Sequence, residues 1–268
     1  MKHLIVACLL VLAGAPAPAQ SQPACCATPQ TAASSPTPTL PARININYNV
    51  IVRGITAGEA LYTFNFQGDQ YQATARRQIT GIARTFLGDR QDFSYSSRGR
   101  IENGQVRSVA YRHEDDHRHR VVQVSFNGDQ VVTTATPRMG MGHPPATAAQ
   151  KVGTIDQVSM FAQMLMGQNS PCNRTFRVFL DGRTRFDLAL RPNGTQRVNT
   201  PAFRGVAQRC AVQFTPIAGF SDPQQPARLS FLFATINGLT VPIVVEMPTD
   251  SVGVVRLEAR TYRTGAAT

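Results

Sequence analysis

The sequence predicts a mainly β protein, a large antiparallel curved sheet (a half-barrel or β-spiral) with one helix packed on its concave side. Three observations predict it. Apolar side chains recur at every second residue through most of 43–263. Asn-Gly pairs each lie between two such runs. One stretch alone, Thr154 to Met166, carries the spacing of a helix.

The chain opens MKHLIVACLLVLAGAPAPAQ, with Lys2 and His3 ahead of an apolar run from Leu4 to Ala13 and a small-x-small site at Ala17-Pro18-Ala19. That run falls short of the roughly 20 residues a membrane-spanning helix needs. The parts predict a secretory signal peptide over 1–19, and hence a periplasmic protein. An alternative is a lipoprotein carrying its lipid on Cys25, but Gln22-Pro23-Ala24 lacks the Leu such a site wants. Residues 20–42 are rich in Pro, Ser, Thr and Ala. Such a stretch buries too little apolar surface to offset its ordering entropy, so it predicts a disordered leader. One β domain is expected over 43–263, then a short tail over 264–268.

Within the domain, Ile44, Ile46, Tyr48, Val50 and Val52 alternate with mostly polar neighbours. Tyr62, Phe64 and Phe66 do the same, followed later by Phe186, Leu188 and Leu190. Leu229, Phe231 and Phe233, then Leu239, Val241, Ile243 and Val245, complete the pattern. Period two marks strands with one face buried and one in water, roughly a dozen of them here. Asn-Gly at 103–104, 127–128, 193–194 and 237–238, with Gly68-Asp69, predicts tight hairpins, because such pairs tolerate positive φ. Hairpin connections imply a meander, and a large antiparallel sheet twists and curls. In TIDQVSMFAQMLM, Val158, Phe161, Ala162 and Leu165 share one helical face. Thr154 or Asp156 is the expected cap and Gly167 the expected stop. Residues 137–150 are the longest expected loop.

The formal net charge is +11, and the basic residues are all Arg except Lys2 and Lys151. Export removes nucleic acid from the expected partners. It leaves anionic envelope components, such as phospholipid head groups, lipopolysaccharide and acidic glycans, against the alternative of a merely solvated surface. Cys172 and Cys210 lie in the folded body and pair naturally in an oxidising compartment, the alternative being two separate buried thiols.

His113-Glu114-x-x-His117 spells the zinc-peptidase motif. That motif needs a helix to bring both His onto one face. Its flanks, Val106–Tyr111 and Val121–Phe126, read as strands, so YRHEDDHRHR is placed at a solvated hairpin tip. His113, His117 and His119 remain a weak metal candidate there, with Asp115. Met139, Met141 and His143 suggest copper by ligand softness, against a plain Gly-rich loop. The sequence carries no nucleophile elbow, phosphate loop or dinucleotide fingerprint. No catalytic residue and no cofactor are expected.

Several stretches then resemble one family: "DQVSM", "PCNRTFRVFLDGRTRFDL" (171–188), "RCAVQFTPIAGF" (209–220) and "VPIVVEMPTDSVGVVRLEA" (241–259). Upstream, "YNVIVRGITAGEALYTF" (48–64) and "RRQITGIARTF" (76–86) fit its opening. The chain resembles the bacterial envelope family called domain of unknown function 3108, over 44–262. Its most specific parts here are Cys172, the Asp181-Gly182-Arg183 motif, and Cys210 with the Pro-Ile-Ala-Gly after it. The resemblance implies an exported protein, a Cys172–Cys210 bridge, and a fold similar to periplasmic lipoprotein carriers. Asp-Gly is also a hairpin pair, and Arg183 could pair with Asp181 or Asp187, or face an anionic ligand.

The expected function is non-enzymatic. An apolar groove would bind a lipid, an acyl chain or a lipoprotein and support envelope integrity. The alternative is a structural or scaffolding envelope protein with a filled core and protein partners. A glycan-acting hydrolase would need paired carboxylates that the sequence does not display.

Overall fold

The computed structural model describes residues 40–80, 93–166, 170–249 and 253–266. The expected signal peptide, nearly all of the leader, Gly167 and the last tail residues lie outside the described residues.

Thirteen strands form one antiparallel sheet, open and curved. They are β1 (Arg43–Val52), β2 (Ile55–Gln67), β3 (Gln70–Ile79), β4 (Phe93–Glu102), β5 (Gln105–Asp115), β6 (Arg120–Asn127) and β7 (Gln130–Thr136). After a one-turn helix, α1 (Ala148–Lys151), and the central helix α2 (Gln157–Leu165), come β8 (Arg174–Leu180), β9 (Thr184–Thr200) and β10 (Phe203–Ala218). The sheet is completed by β11 (Ala227–Ile236), β12 (Leu239–Thr249) and β13 (Gly253–Gly265). Their spatial order is β7-β6-β5-β4-β3-β2-β1-β13-β12-β11-β10-β9-β8. Two meanders therefore join where β1 pairs with β13, and β7 and β8 are the edges.

The predicted alternation is realised in β1 and β2, whereas β11 and β12 carry unbroken buried stretches. Ile44, Ile46, Tyr48 and Phe64 point inward and are fully buried. Asn103-Gly104 and Asn237-Gly238 make two-residue turns with positive φ at both positions, as does Arg53-Gly54, which the sequence did not single out. Two expected turns differ. At 127–128 the loop is Gly128-Asp129, one residue later, with Asn127 ending β6. At 193–194 the chain does not reverse at all. Pairing runs on from Cys210↔Pro192 to Gln208↔Thr195, so Asn193-Gly194 is a bulge inside β9. A bulge bends its strand. The tip of the β9–β10 hairpin reaches β13, where Ala202 N–H donates to Ala259 O at 3.3 Å. Since β11 and β12 lie between, the bent hairpin crosses them. That accounts for Leu239 to Val245 being buried without a break rather than alternating with water.

Helix α2 begins at Gln157, because Asp156 takes the capping role: its Oδ1 accepts from the N–H groups of Val158 and Ser159, each at 2.9 Å. Eight of its nine residues are buried. It packs against β3, β4 and β5 from one half of the sheet and against β8 and β12 from the other. The Phe161 ring stacks on Tyr62 at 4.5 Å and meets Tyr48 edge-on. Tyr48 itself donates to Pro242 O on β12 at 2.7 Å, passing under β13.

Cys172 and Cys210 are disulfide-bonded, both fully buried. The bridge ties the segment between α2 and β8 to β10. Closing a 38-residue separation is worth about 4 kcal/mol in the chain-entropy account.

Candidate functional site

Three arrangements of polar side chains stand out. The first lies where the ends of the rolled sheet overlap. The three-residue turn between β8 and β9, Asp181-Gly182-Arg183, rests on the inner face of β5–β7. Thr133 Oγ1 donates to Gly182 O at 2.8 Å. Gly182 has φ +67, and a Cβ there would lie 2.7 Å from Thr133 and 2.9 Å from Val122. Asp181 Oδ1 accepts from the Tyr111 hydroxyl at 2.8 Å and from Gln157 Nε2 at 3.0 Å. The turn motif thus joins β8–β9, β5 and the first turn of α2. Arg183 pairs with neither expected carboxylate among the described residues; it is Arg185, buried, that holds Asp187 at 2.6 Å. The Pro-Ile-Ala-Gly stretch supports the same turn from behind. Gly219, at φ +79, comes so close to Arg183 that a Cβ would lie 2.0 Å from its carbonyl oxygen.

His113 belongs to this junction rather than to a solvated tip. Strand β5 runs through Asp115, and only 116–119 form the turn. His113 and Asp115 face inward and are buried, while Glu114 faces out toward Arg112 and Ser94. The H-E-x-x-H residues therefore lie on opposite faces of a strand and in a turn, not on one helical face. His113 stacks on Tyr95 at 4.7 Å. Its Nδ1 is 3.4 Å from Asp181 Oδ1, without hydrogen-bond geometry, and neither ring nitrogen has a hydrogen-bond partner. Burial lowers its pKa, with Asp181 and Asp115 pulling the other way. His119 sits in the turn with φ +47. Among the described residues no group of three His, Cys, Asp or Glu is placed to hold a metal ion. The 137–147 loop is pinned: His143 N–H donates to Phe220 O at 2.9 Å, and Gly219 N–H to Pro144 O at 2.8 Å.

The second arrangement was not foreseen. Asp156, completely buried, is the hub of a closed hydroxyl cluster. Its Oδ2 accepts from Ser97 and Ser108 at 2.8 Å each and from Ser159 at 2.5 Å. The Tyr71 hydroxyl lies 2.6 Å from Ser159 Oγ. Burial raises the Asp156 pKa, and the serine hydrogen bonds oppose that rise. Gly99 makes room: a Cβ there would be 2.7 Å from the Tyr71 hydroxyl. The cluster fixes the start of α2 to β3, β4 and β5. The available signal was Ser97, Ser108 and Ser159 occupying inward positions, but their partners lie 48 to 62 residues apart in the chain.

The third is an open cleft of about 420 Å3 at the far end of α2. The β4–β5 turn forms one wall and the β8 edge the other, with Gln163 and Met166 between them. Gln163 pins that turn: its Oε1 accepts from Val106 N–H at 2.5 Å and its Nε2 donates to Gly104 O at 3.1 Å.

Residues 45–260 match the family described as Protein of unknown function (DUF3108). The chain belongs to that family. The match covers both helices and eleven strands in full and most of β1 and β13, so the Asp181-Gly182-Arg183 junction, the bridge and the cleft all lie inside the family domain. No curated protein matches this chain. No described helix is long and apolar enough to cross a membrane.

Proposed function

We propose that the chain is an exported envelope protein acting as a rigid, non-enzymatic scaffold for other envelope proteins, rather than as a carrier that holds a lipid in the curl of its sheet. Export is argued from the signal-peptide features of residues 1–19. The scaffold role is argued from one observation: α2 occupies the concave face that a carrier would keep for its ligand. Emptying that face would re-expose Val158, Phe161, Met164 and Leu165, all buried. At about 2 kcal/mol for each such side chain the cost is on the order of 8 kcal/mol, comparable with the whole stability of a domain. An acyl chain would have to recover that before binding with any net affinity.

The Asp156 cluster supports the same reading. Its hydrogen bonds are internal and its carboxylate has no exposed surface, so it acts as an anchor for α2 and offers nothing to a substrate.

The test combines native mass spectrometry of gently extracted full-length protein with crosslinking in intact cells. The scaffold account expects no lipid that a fluorescent fatty acid displaces, no binding of that fatty acid itself, and discrete crosslinked protein partners in the envelope fraction. A stoichiometric lipid that a fluorescent fatty acid displaces, and that is therefore held by its acyl chain, would overturn it and restore the carrier function. A product retained in the cytosol would remove export.

A further inference from the structure

We infer that the cleft between the β4–β5 turn and the β8 edge is a binding site for an oxyanion carried on a small molecule or a head group, foremost a phosphate ester, held by Arg107, Arg174 and Arg177. Its lining contains these three arginines and no Asp or Glu. Among the described residues, Arg174 and Arg177 have no ion-pair partner. Arg107 meets Glu102 only at 3.8 Å, with both side chains more than half exposed, a contact of little energetic weight.

The backbone adds donors. Ile155 N–H bonds Arg177 O, and Phe179 N–H bonds Ile155 O, on the open side of β8. Alternation along a strand then puts the N–H groups of Thr175 and Arg177 on that same open side. Neither has a protein partner among the described residues. An edge strand normally carries such groups as a liability; here Thr175 and Arg177 are themselves lining residues of the cleft. One feature opposes an anion: the C-terminal carbonyls of α2 point the same way. Arg174 offsets part of it by donating from one guanidinium nitrogen to Gln163 O at 3.1 Å. A guanidinium fork matches phosphate geometry, which favours a phosphate ester over a halide. The cleft volume of about 420 Å3 suits a small-molecule ester or a head group.

Calorimetry of the full-length protein with glycerol 3-phosphate tests the soluble source. Cosedimentation with phosphatidylglycerol vesicles, against phosphatidylcholine vesicles, tests the head group. The Arg107→Gln/Arg177→Gln variant is compared with Arg197→Gln/Arg204→Gln, which removes equal charge from the exposed β9–β10 hairpin. The site predicts binding of at least one probe, weakened tenfold or more by the cleft variant and unchanged by the hairpin variant. Competition by glycerol 3-phosphate for the vesicles would assign both to one site. If the double variant melts early, Arg107→Gln alone, on an exposed side chain, carries the comparison with a several-fold loss. No binding of either probe at millimolar concentration overturns the proposal. So does equal loss in both variants, which would mean diffuse electrostatic attraction only.

Discussion

The Tyr111 hydroxyl donates to Asp181 Oδ1 at 2.8 Å, across 70 residues of sequence. Through this bond the β8–β9 turn grips β5, and the two overlapping ends of the sheet are held in register with α2. Tyr111→Phe removes the donor while leaving the ring. We expect a loss of about 1 kcal/mol in urea unfolding, the usual worth of such a bond. In a double-mutant cycle with Asp181→Asn, the coupling should exceed that between Tyr111→Phe and a distant substitution such as Asp129→Asn.

Gly219→Ala should cost roughly 3 kcal/mol or more, since positive φ and a backbone clash act together. Gly54→Ala shares the positive φ but meets nothing within 4 Å. It should cost only the conformational term, about 1 to 2 kcal/mol. Equal losses, measured by chemical denaturation, would mean that the close approach of Gly219 to Arg183 carries no weight.

Asp156 supplies a pH dependence of known sign. Burial raises its folded pKa, so the folded state holds its proton to higher pH than the unfolded chain, where an Asp titrates near 4. Its contribution is fully present below that value and is lost as pH rises through the folded pKa. Asp156→Asn should remove this component of the stability–pH curve while keeping an oxygen to cap α2. Asp156→Ala, which strips the cap and leaves three serine hydroxyls without their acceptor, should cost at least 2 kcal/mol.

His113 acts in the opposite sense. Its pKa is lowered by burial, so the unfolded chain takes up a proton first as pH falls through about 6.5. Stability should therefore decline between pH 7 and 5, and His113→Gln should flatten that decline. The readout is the midpoint of urea unfolding at each pH.

Reducing the Cys172–Cys210 bridge, or replacing both residues by Ser, should lower stability by about 4 kcal/mol. The α2–β8 connection would be the first segment to gain proteolytic cleavage.

Much of this was legible in the order of residues. Alternation from Ile44 to Tyr48 and from Tyr62 to Phe66 predicts which faces are buried, because period two is a direct consequence of strand geometry. Family-specific stretches picked out Asp181-Gly182 without saying what it touches, and they implied the Cys172–Cys210 bridge that the structure contains. The misplaced features have physical reasons. Asn193-Gly194 signals positive φ, and positive φ serves a bulge as well as a turn; only the partner strand decides, and β10 pairs on both sides of it. The charges around His113 point it toward water. Tyr111, His113 and Asp115 nevertheless share one strand parity, and the tyrosine was the clue that this face is inward. The Asp156 cluster needed β4, β5 and α2 to be assembled first, since no local pattern links Ser97 to Ser159. The cleft arginines come from three separated positions and look like ordinary surface charge until β5 and β8 face each other.

The central claim is that α2 is part of the core and not a displaceable plug. Amide hydrogen exchange across residues 158–165 of the full-length protein tests it most directly. The account predicts that these amides exchange only with the global unfolding of β1, β12 and β13. Exchange of α2 through a separate, lower-energy opening while those strands stay protected, and slowed by an added fatty acid, would contradict it.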